Sequence, residues 1–176
     1  MIIRPATETD LPFILEQYNY AIEYTTAVYE YELFTTEYIN KWFNDKKTAS
    51  YPVIIAEIDG TAVGFATYGQ FRQRCAYKST VEHSLYVARE FQGRGIGRKL
   101  LQALMEIALT NDVHVMIGGI DAENENSISF HLGLGFVECG RIREVAFKFD
   151  RWLDLVFVQK ILKPHEYQAQ QDIPKD

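Results

Sequence analysis

Leu11, Ile14, Leu15, Tyr18, Ala21 and Ile22 recur at intervals of three and four, the spacing that lines one side of an α-helix. The helix that holds them is predicted to start at a Thr9-Asp10 cap, carry Pro12 in its first turn and run to about Tyr24. Its apolar stripe calls for a sheet to cover. A short strand at residues 2–4 precedes it, and a second helix near residues 36–44 follows, with Tyr38, Trp42 and Phe43 for apolar contacts. The period then changes. Residues 53–58 and 61–68 are β-rich runs on either side of Asp59-Gly60, a hairpin signal because glycine accepts positive φ, so the two are predicted to pair antiparallel. Further on, the pattern predicts a strand at 80–87, a helix at 98–109, a strand at 113–120, a short helix at 127–134, and closing strands around Phe147 and at 152–158. No internal repeat is visible. The polar stretch 164–176 is predicted to fray, which leaves residues 1–163 as a single domain.

This alternation reads as a mixed α/β architecture with a central sheet. A chain of 176 residues is long enough for one buried core. The formal charge of −6, with acidic residues scattered rather than in blocks, disfavours nucleic acid or membrane as the main partner and favours small molecules. Cys75 and Cys139 lie far apart without Cys-x-x-Cys spacing, so neither a disulfide framework nor a metal site is indicated. The first five residues lack the apolar core of a signal peptide, and no apolar run approaches the ~20 residues of a membrane span, so a cytoplasmic protein is expected.

The candidate chemistry starts at Gln92-Gly93-Arg94-Gly95-Ile96-Gly97-Arg98, between a β-rich run ending Leu85-Tyr86-Val87 and the helical pattern that begins at Lys99. Glycines here remove Cβ atoms that would hold a phosphate off the main chain, and the first turn of the next helix leaves N–H donors unpaired. Either a pyrophosphate cradle or a glycine-rich turn fits. A Walker loop does not, because Arg98-Lys99-Leu100 follows Gly97 where Gly-Lys-Ser/Thr is required. The dinucleotide fingerprint fails too, with Leu100 at its third glycine.

The run does meet the acyl-CoA loop pattern Gln/Arg-x-x-Gly-x-Gly/Ala of the GNAT acetyltransferases, through Gln92, Gly95 and Gly97. Residues 124–136, an Asn before a helix that ends at Gly135-Phe136, are similar to that superfamily's second CoA segment. The segments around Phe71-Arg72-Gln73-Arg74, Tyr77, Glu82-His83-Ser84 and Arg151-Trp152-Leu153-Asp154 narrow the resemblance to phosphinothricin N-acetyltransferases and their methionine sulfoximine and sulfone acetylating relatives. Two departures stand out. Asp150 replaces a common Gly in the turn before Arg151, where Asp can take a left-handed conformation, and residues 73–75 vary near the expected acceptor.

The resemblance implies a GNAT fold: a mixed, mostly antiparallel central sheet with two splayed strands, flanked by helices. It implies acetyl-CoA as cosubstrate, no metal, an amino-acid acceptor and a homodimer whose sites borrow residues from the partner. CoA would be held by Gly93, Arg94, Gly95, Ile96, Gly97 and Arg98, by the main chain of Leu85, Tyr86 and Val87, and by Asn124 and His131. Splayed-strand N–H groups without ladder partners suit pantetheine amides or a developing oxyanion. Asn124 is a CoA clamp or only a helix cap. His131, at a position where many GNAT enzymes carry Tyr, is an acid for the leaving thiolate or a cofactor contact.

Acetyl transfer needs a neutral amine, hence a general base. Glu82 is the first candidate and His83 the alternative, and strand alternation sends them to opposite faces. The resemblance places Arg72, Gln73, Arg74, Glu82, His83 and Ser84 at the acceptor. Arg72 and Arg74 offer paired donors to its anionic groups, or else are solvated surface, and Phe34, Phe71, Tyr77 and Trp152 are wall or core. Two other functions stay open: a GNAT enzyme for another amine (polyamine, aminoglycoside or protein N-terminus), and a noncatalytic acyl-CoA-binding module.

Overall fold

A seven-stranded sheet organises the computed structural model, which describes residues 1–163. The expected fraying of residues 164–176 lies outside the described residues. The strands are β1 (Ile2–Pro5), β2 (Val53–Ile58), β3 (Thr61–Gln70), β4 (Thr80–Val87), β5 (Val115–Asp121), β6 (Val137–Lys148) and β7 (Arg151–Ile161), in the spatial order β1-β2-β3-β4-β5-β7-β6. Every neighbouring pair is antiparallel except β4 with β5. Helices α1 (Leu11–Tyr24) and α2 (Thr36–Thr48) cover one face, and α3 (Ile96–Thr110) and α4 (Glu125–Leu132) lie toward the other.

Strand alternation produces the two cores. In β2, Val53 and Ile55 pack with Leu11, Ile14 and Tyr18 of α1 and Ile39 and Phe43 of α2, whereas Ile54 and Ala56 pack with Leu100, Leu101 and Leu104 of α3. Those three leucines are fully buried, and each contributes about 1.5–3 kcal/mol relative to exposure. Among the described residues no helix is long and apolar enough to cross a membrane.

The first helix, the Asp59-Gly60 hairpin and the closing strand β7 stand where the pattern predicts them. Asp10 departs in detail: it makes no side-chain cap for α1, and its carboxylate instead takes the Thr7 N–H at 2.7 Å and two Arg4 nitrogens at 2.8 Å. Helix α2 runs one turn beyond its expected end, Lys46 and Lys47 in its last turn suiting the negative end of the helix dipole. Helix α3 begins inside the glycine run. The main omission is β6, expected only around Phe147 but twelve residues long. It is an outer strand, largely exposed and bulged at Glu138/Gly140 and Ile142/Ala146, so it carries neither a steady alternation nor an apolar run. Its turn into β7 uses Phe149 and Asp150 at φ 52° and 57°, the left-handed conformation that Asp150 was expected to accept.

Candidate active site

Strand β4 bonds to β3 from Val81↔Gln70 to Val87↔Gly64, but to β5 only from Thr80↔Val115 to Glu82↔Ile117. Beyond Glu82 the parallel pair separates, so the edge of Leu85, Tyr86 and Val87 that faces β5 has no ladder partner. This is the splay that the resemblance implies. Each face of β4 borders a cavity of about 430 Å³.

The first cavity is lined by Leu85 and Val87 of β4, by Phe91, Gln92, Gly93, Gly95, Ile96, Gly97 and Arg98, and by Asn126, Ser127 and Phe130 of α4. Gly93 and Gly95 sit at φ 74° and 76°, where a Cβ costs about 1–2 kcal/mol, and Gly95 is the residue from which α3 starts. The bond from Lys99 N to Gly95 O closes the first turn, so the N–H groups of Ile96, Gly97 and Arg98 have no intrahelical acceptor. They form a helix start whose unpaired donors suit an anion, beside the cavity that these residues line. Gln92 Nε2 donates to Val87 O at 3.0 Å and ties the loop to the end of β4. The Arg94 guanidinium is held by Glu90 O at 2.9 Å and lies over the Phe91 ring.

Asn124 acts as the cap of α4, its Oδ1 accepting from Ser127 N at 3.0 Å, and Asn126 lines the cavity wall. His131 is buried. Its Nδ1 lies 2.6 Å from Ser127 O, which assigns the proton to Nδ1 and leaves Nε2 a lone-pair acceptor without a partner. The ring stacks on His83 at 5.1 Å and 28°. Burial holds both imidazoles neutral, lowering His131 and taking His83 down to about 3.

The second cavity is walled by aromatic rings. Tyr18 meets Phe34, Trp42 and Tyr86 at ring separations of 5.6, 5.7 and 5.0 Å. The segment 26–30, Tyr38, Leu155, Gly119 and Asp121 complete the lining around Glu82, Ser84 and Tyr86. Burial raises the Glu82 carboxyl above the ordinary carboxylate range, with the nearby Arg72 charge pulling the other way. Gly119 makes room for it: a Cβ there would stand 3.0 Å from Glu82 Oε1. One residue earlier a Cβ on Gly118 would stand 2.9 Å from His83 Nε2, on the opposite face. This Gly-Gly pair inside an apolar strand is a signal of close approach that the pattern reading passes over.

The aromatic wall depends on clamps that no motif announces. Asn19 brackets Phe34, donating to its O at 3.0 Å and accepting from its N at 2.8 Å. Lys148 Nζ, carried by a residue only 5% exposed, donates to Thr25 O at 2.9 Å and Val28 O at 2.7 Å and so fixes the segment before α2.

Of the expected acceptor residues, Glu82 and Ser84 line this cavity. His83 does not: alternation turns it to the α4 side, against His131 and Phe136, away from any acceptor here. Arg72, Gln73 and Arg74 are exposed on the turn after β3, with the Arg72 guanidinium over the Phe71 ring. Phe34 is a wall residue. Phe71, Tyr77 and Trp152 are not part of the lining within one chain, and Trp152 packs on Phe147.

A parted parallel strand pair with a glycine-started helix on one face and the half-buried Glu82 carboxylate on the other defines an acyl-CoA-dependent N-acetyltransferase fold, and the chain belongs to the acetyltransferase (GNAT) family, which it matches over residues 15–136. More particularly, it is 39% identical over 165 residues to an L-methionine sulfoximine/L-methionine sulfone acetyltransferase of Salmonella typhimurium, covering 94% of this chain and 96% of the relative. It is 40% identical to the L-amino acid N-acyltransferase MnaT of Escherichia coli, over 90% of this chain and 92% of that protein. The crystal structure of a phosphinothricin acetyltransferase from Sinorhizobium meliloti in complex with acetyl-CoA superposes with a TM-score of 0.88 at 32% identity, covering 94% of both chains.

Proposed function

We propose that the protein transfers the acetyl group of acetyl-CoA to the α-amino group of amino-acid analogues with an acceptor-rich tetrahedral head: methionine sulfone, methionine sulfoximine and phosphinothricin. The observation that carries this reading is the unpaired edge of β4, which has main-chain donors at a helix start on one face and Glu82 in an aromatic-walled cavity on the other. Acetyl-CoA, when bound, supplies an activated acetyl thioester. The free N–H groups of residues 96–98 hold its diphosphate, and the edge of Leu85 to Val87 donates to pantetheine amides and to the carbonyl oxygen as negative charge grows on it.

Glu82 takes the proton from the incoming ammonium, directly or through a water. Its raised pKa moves it toward the operating pH and strengthens it as a base. His131, neutral with its proton on Nδ1, is assigned to cosubstrate contact rather than to acid catalysis. Arg72 and Arg74 draw the anionic groups of the acceptor to the cavity mouth.

The β6–β7 hairpin exposes Ile142, Val145, Phe147, Phe149 and Trp152, with Tyr31 and Leu33 also exposed and Tyr31 bonded to Phe147 O. An apolar surface of this kind marks an interaction site, and the reading assigns it to a homodimer. A cytoplasmic location belongs to the same reading, since the reaction draws on intracellular acetyl-CoA.

Thiol release from acetyl-CoA across methionine sulfone, methionine sulfoximine, phosphinothricin, ordinary amino acids and polyamines tests the activity. The three analogues are expected to give the highest kcat/KM. Preference for polyamines, or no thiol release with any amino acid, would refute it.

A further inference from the structure

Two polar atoms of residues lining the aromatic cavity have no hydrogen-bond partner although both are closed off from solvent: the Tyr29 hydroxyl and Asp121 Oδ2. Asp121 is only 4% exposed. It ends β5 two residues beyond Gly119, so alternation puts it on the face where Glu82 stands. Its other oxygen, Oδ1, accepts from Glu123 N at 3.0 Å, which fixes the carboxylate and leaves Oδ2 without a hydrogen bond. Arg151 Nη2 forms a long ion pair with Oδ2 at 3.8 Å, beyond hydrogen-bond reach, while Arg151 Nη1 binds Glu123 at 2.8 Å. Tyr29 belongs to the segment that Lys148 anchors through Thr25 O and Val28 O. Burial and then the field of Asp121 push the Tyr29 phenol up to about 12, so it is an O–H donor at any ordinary pH.

Buried polar atoms are almost always satisfied, so each exception calls for a partner or a functional role. Here one donor and one anionic acceptor remain open in a single cavity, and the ligand that completes both carries a cationic donor beside an acceptor. We infer that Asp121 and Tyr29 read the acceptor as an α-amino acid zwitterion, Asp121 Oδ2 accepting from the ammonium and the Tyr29 hydroxyl donating to the α-carboxylate. The inference rests on the amino-acid acceptor proposed above and deepens it. Asp121 binds and orients the nitrogen, and Glu82 removes its proton. An amine without the carboxylate leaves the Tyr29 hydroxyl unsatisfied, the kind of mismatch by which polar pockets discriminate best.

The test is equilibrium binding, followed by quenching of Trp42, which lines the same cavity. The ligands are methionine sulfone, its decarboxylated analogue 3-(methylsulfonyl)propan-1-amine and its des-amino analogue 4-(methylsulfonyl)butanoate. Tyr29→Phe is expected to weaken methionine sulfone about tenfold, the loss of roughly one hydrogen bond to a charged group, and to leave the decarboxylated amine unchanged. Asp121→Asn is expected to weaken methionine sulfone and the amine about tenfold or more while the des-amino acid binds as before. The inference is overturned if the wild-type protein shows no saturable binding of methionine sulfone, or if Tyr29→Phe weakens the amine as much as the amino acid or changes neither. Tyr29→Phe decides the matter alone if Asp121→Asn does not fold. Because binding is read without turnover, absence of thiol release would refute the proposed activity and leave this pattern to decide the zwitterion.

Discussion

On the proposed donor side of β4 the candidate binding groups are main-chain amides within residues 85–98, held by two left-handed glycines and one helix start. On the acceptor side they are side chains drawn from α1, the segment before α2, α2 itself, β4, β5 and β7. Main-chain donors do not change when side chains are substituted, provided the backbone keeps its path. A wall of side chains changes with every substitution. The contrast explains how one cosubstrate can serve a whole family while its acceptors differ, and it makes each half separable by experiment.

The largest expected effect is at Glu82. Glu82→Gln keeps the shape of the cavity but removes the base, so kcat should fall by about 10²–10⁴-fold while the calorimetric Kd for acetyl-CoA stays unchanged. An unaltered kcat would place the base elsewhere. In the wild type only the carboxylate accepts the proton, so kcat/KM falls as pH drops through the Glu82 pKa, and burial sets that limb above the ordinary carboxylate range. Arg72→Ala removes the opposing charge and should move the limb further up in a pH–rate profile.

Its neighbour His83 should behave as stability, not turnover. The folded state holds it down to about 3 against about 6.5 unfolded, so between those values only the unfolded chain binds the proton. Its contribution is therefore fully present above pH 6.5 and is lost on acidification at about 1.4 kcal/mol per pH unit, about 2 kcal/mol by pH 5. Urea melts at pH 7 and 5 should show the loss in the wild type and a flatter dependence in His83→Phe.

Gly95→Ala forces a Cβ into φ 76° and should raise the acetyl-CoA KM about tenfold with the acceptor KM unchanged. A matched rise in both would join the two halves that the fold keeps apart. Lys148→Met is the smallest and the mirror image. Thr25 O and Val28 O lose their donor at a cost of about 1–3 kcal/mol, so the acceptor KM should rise about threefold to tenfold and the donor KM should not move.

The same contrast governs what the sequence discloses. Glycines at fixed spacing, an Asp-Gly turn and a helical stripe are local, and each points to its element without knowledge of the rest. The acceptor cavity is not local. Glu82 is findable because family resemblance points to it, and alternation correctly separates it from His83, but nothing near Tyr29 or Asp121 announces that they line the cavity, or near Lys148 or Asn19 that they brace its wall. Gly118-Gly119 is legible in hindsight, as two side chains missing where two large ones pass. Asn124 is legible as the cap that it forms, while Asn126, which lines the cavity two residues on, carries no signal of its own. β6 escapes because a bulged, exposed outer strand has no face whose burial would impose a period.

A crystal structure of the protein with CoA and methionine sulfone tests the central claim directly. The account predicts a diphosphate on the N–H groups of residues 96–98, pantetheine along the edge of Leu85 to Val87, and the acceptor nitrogen on the opposite face beside Glu82. CoA bound away from that edge, or an acceptor lying on the His83 side of β4, would contradict it.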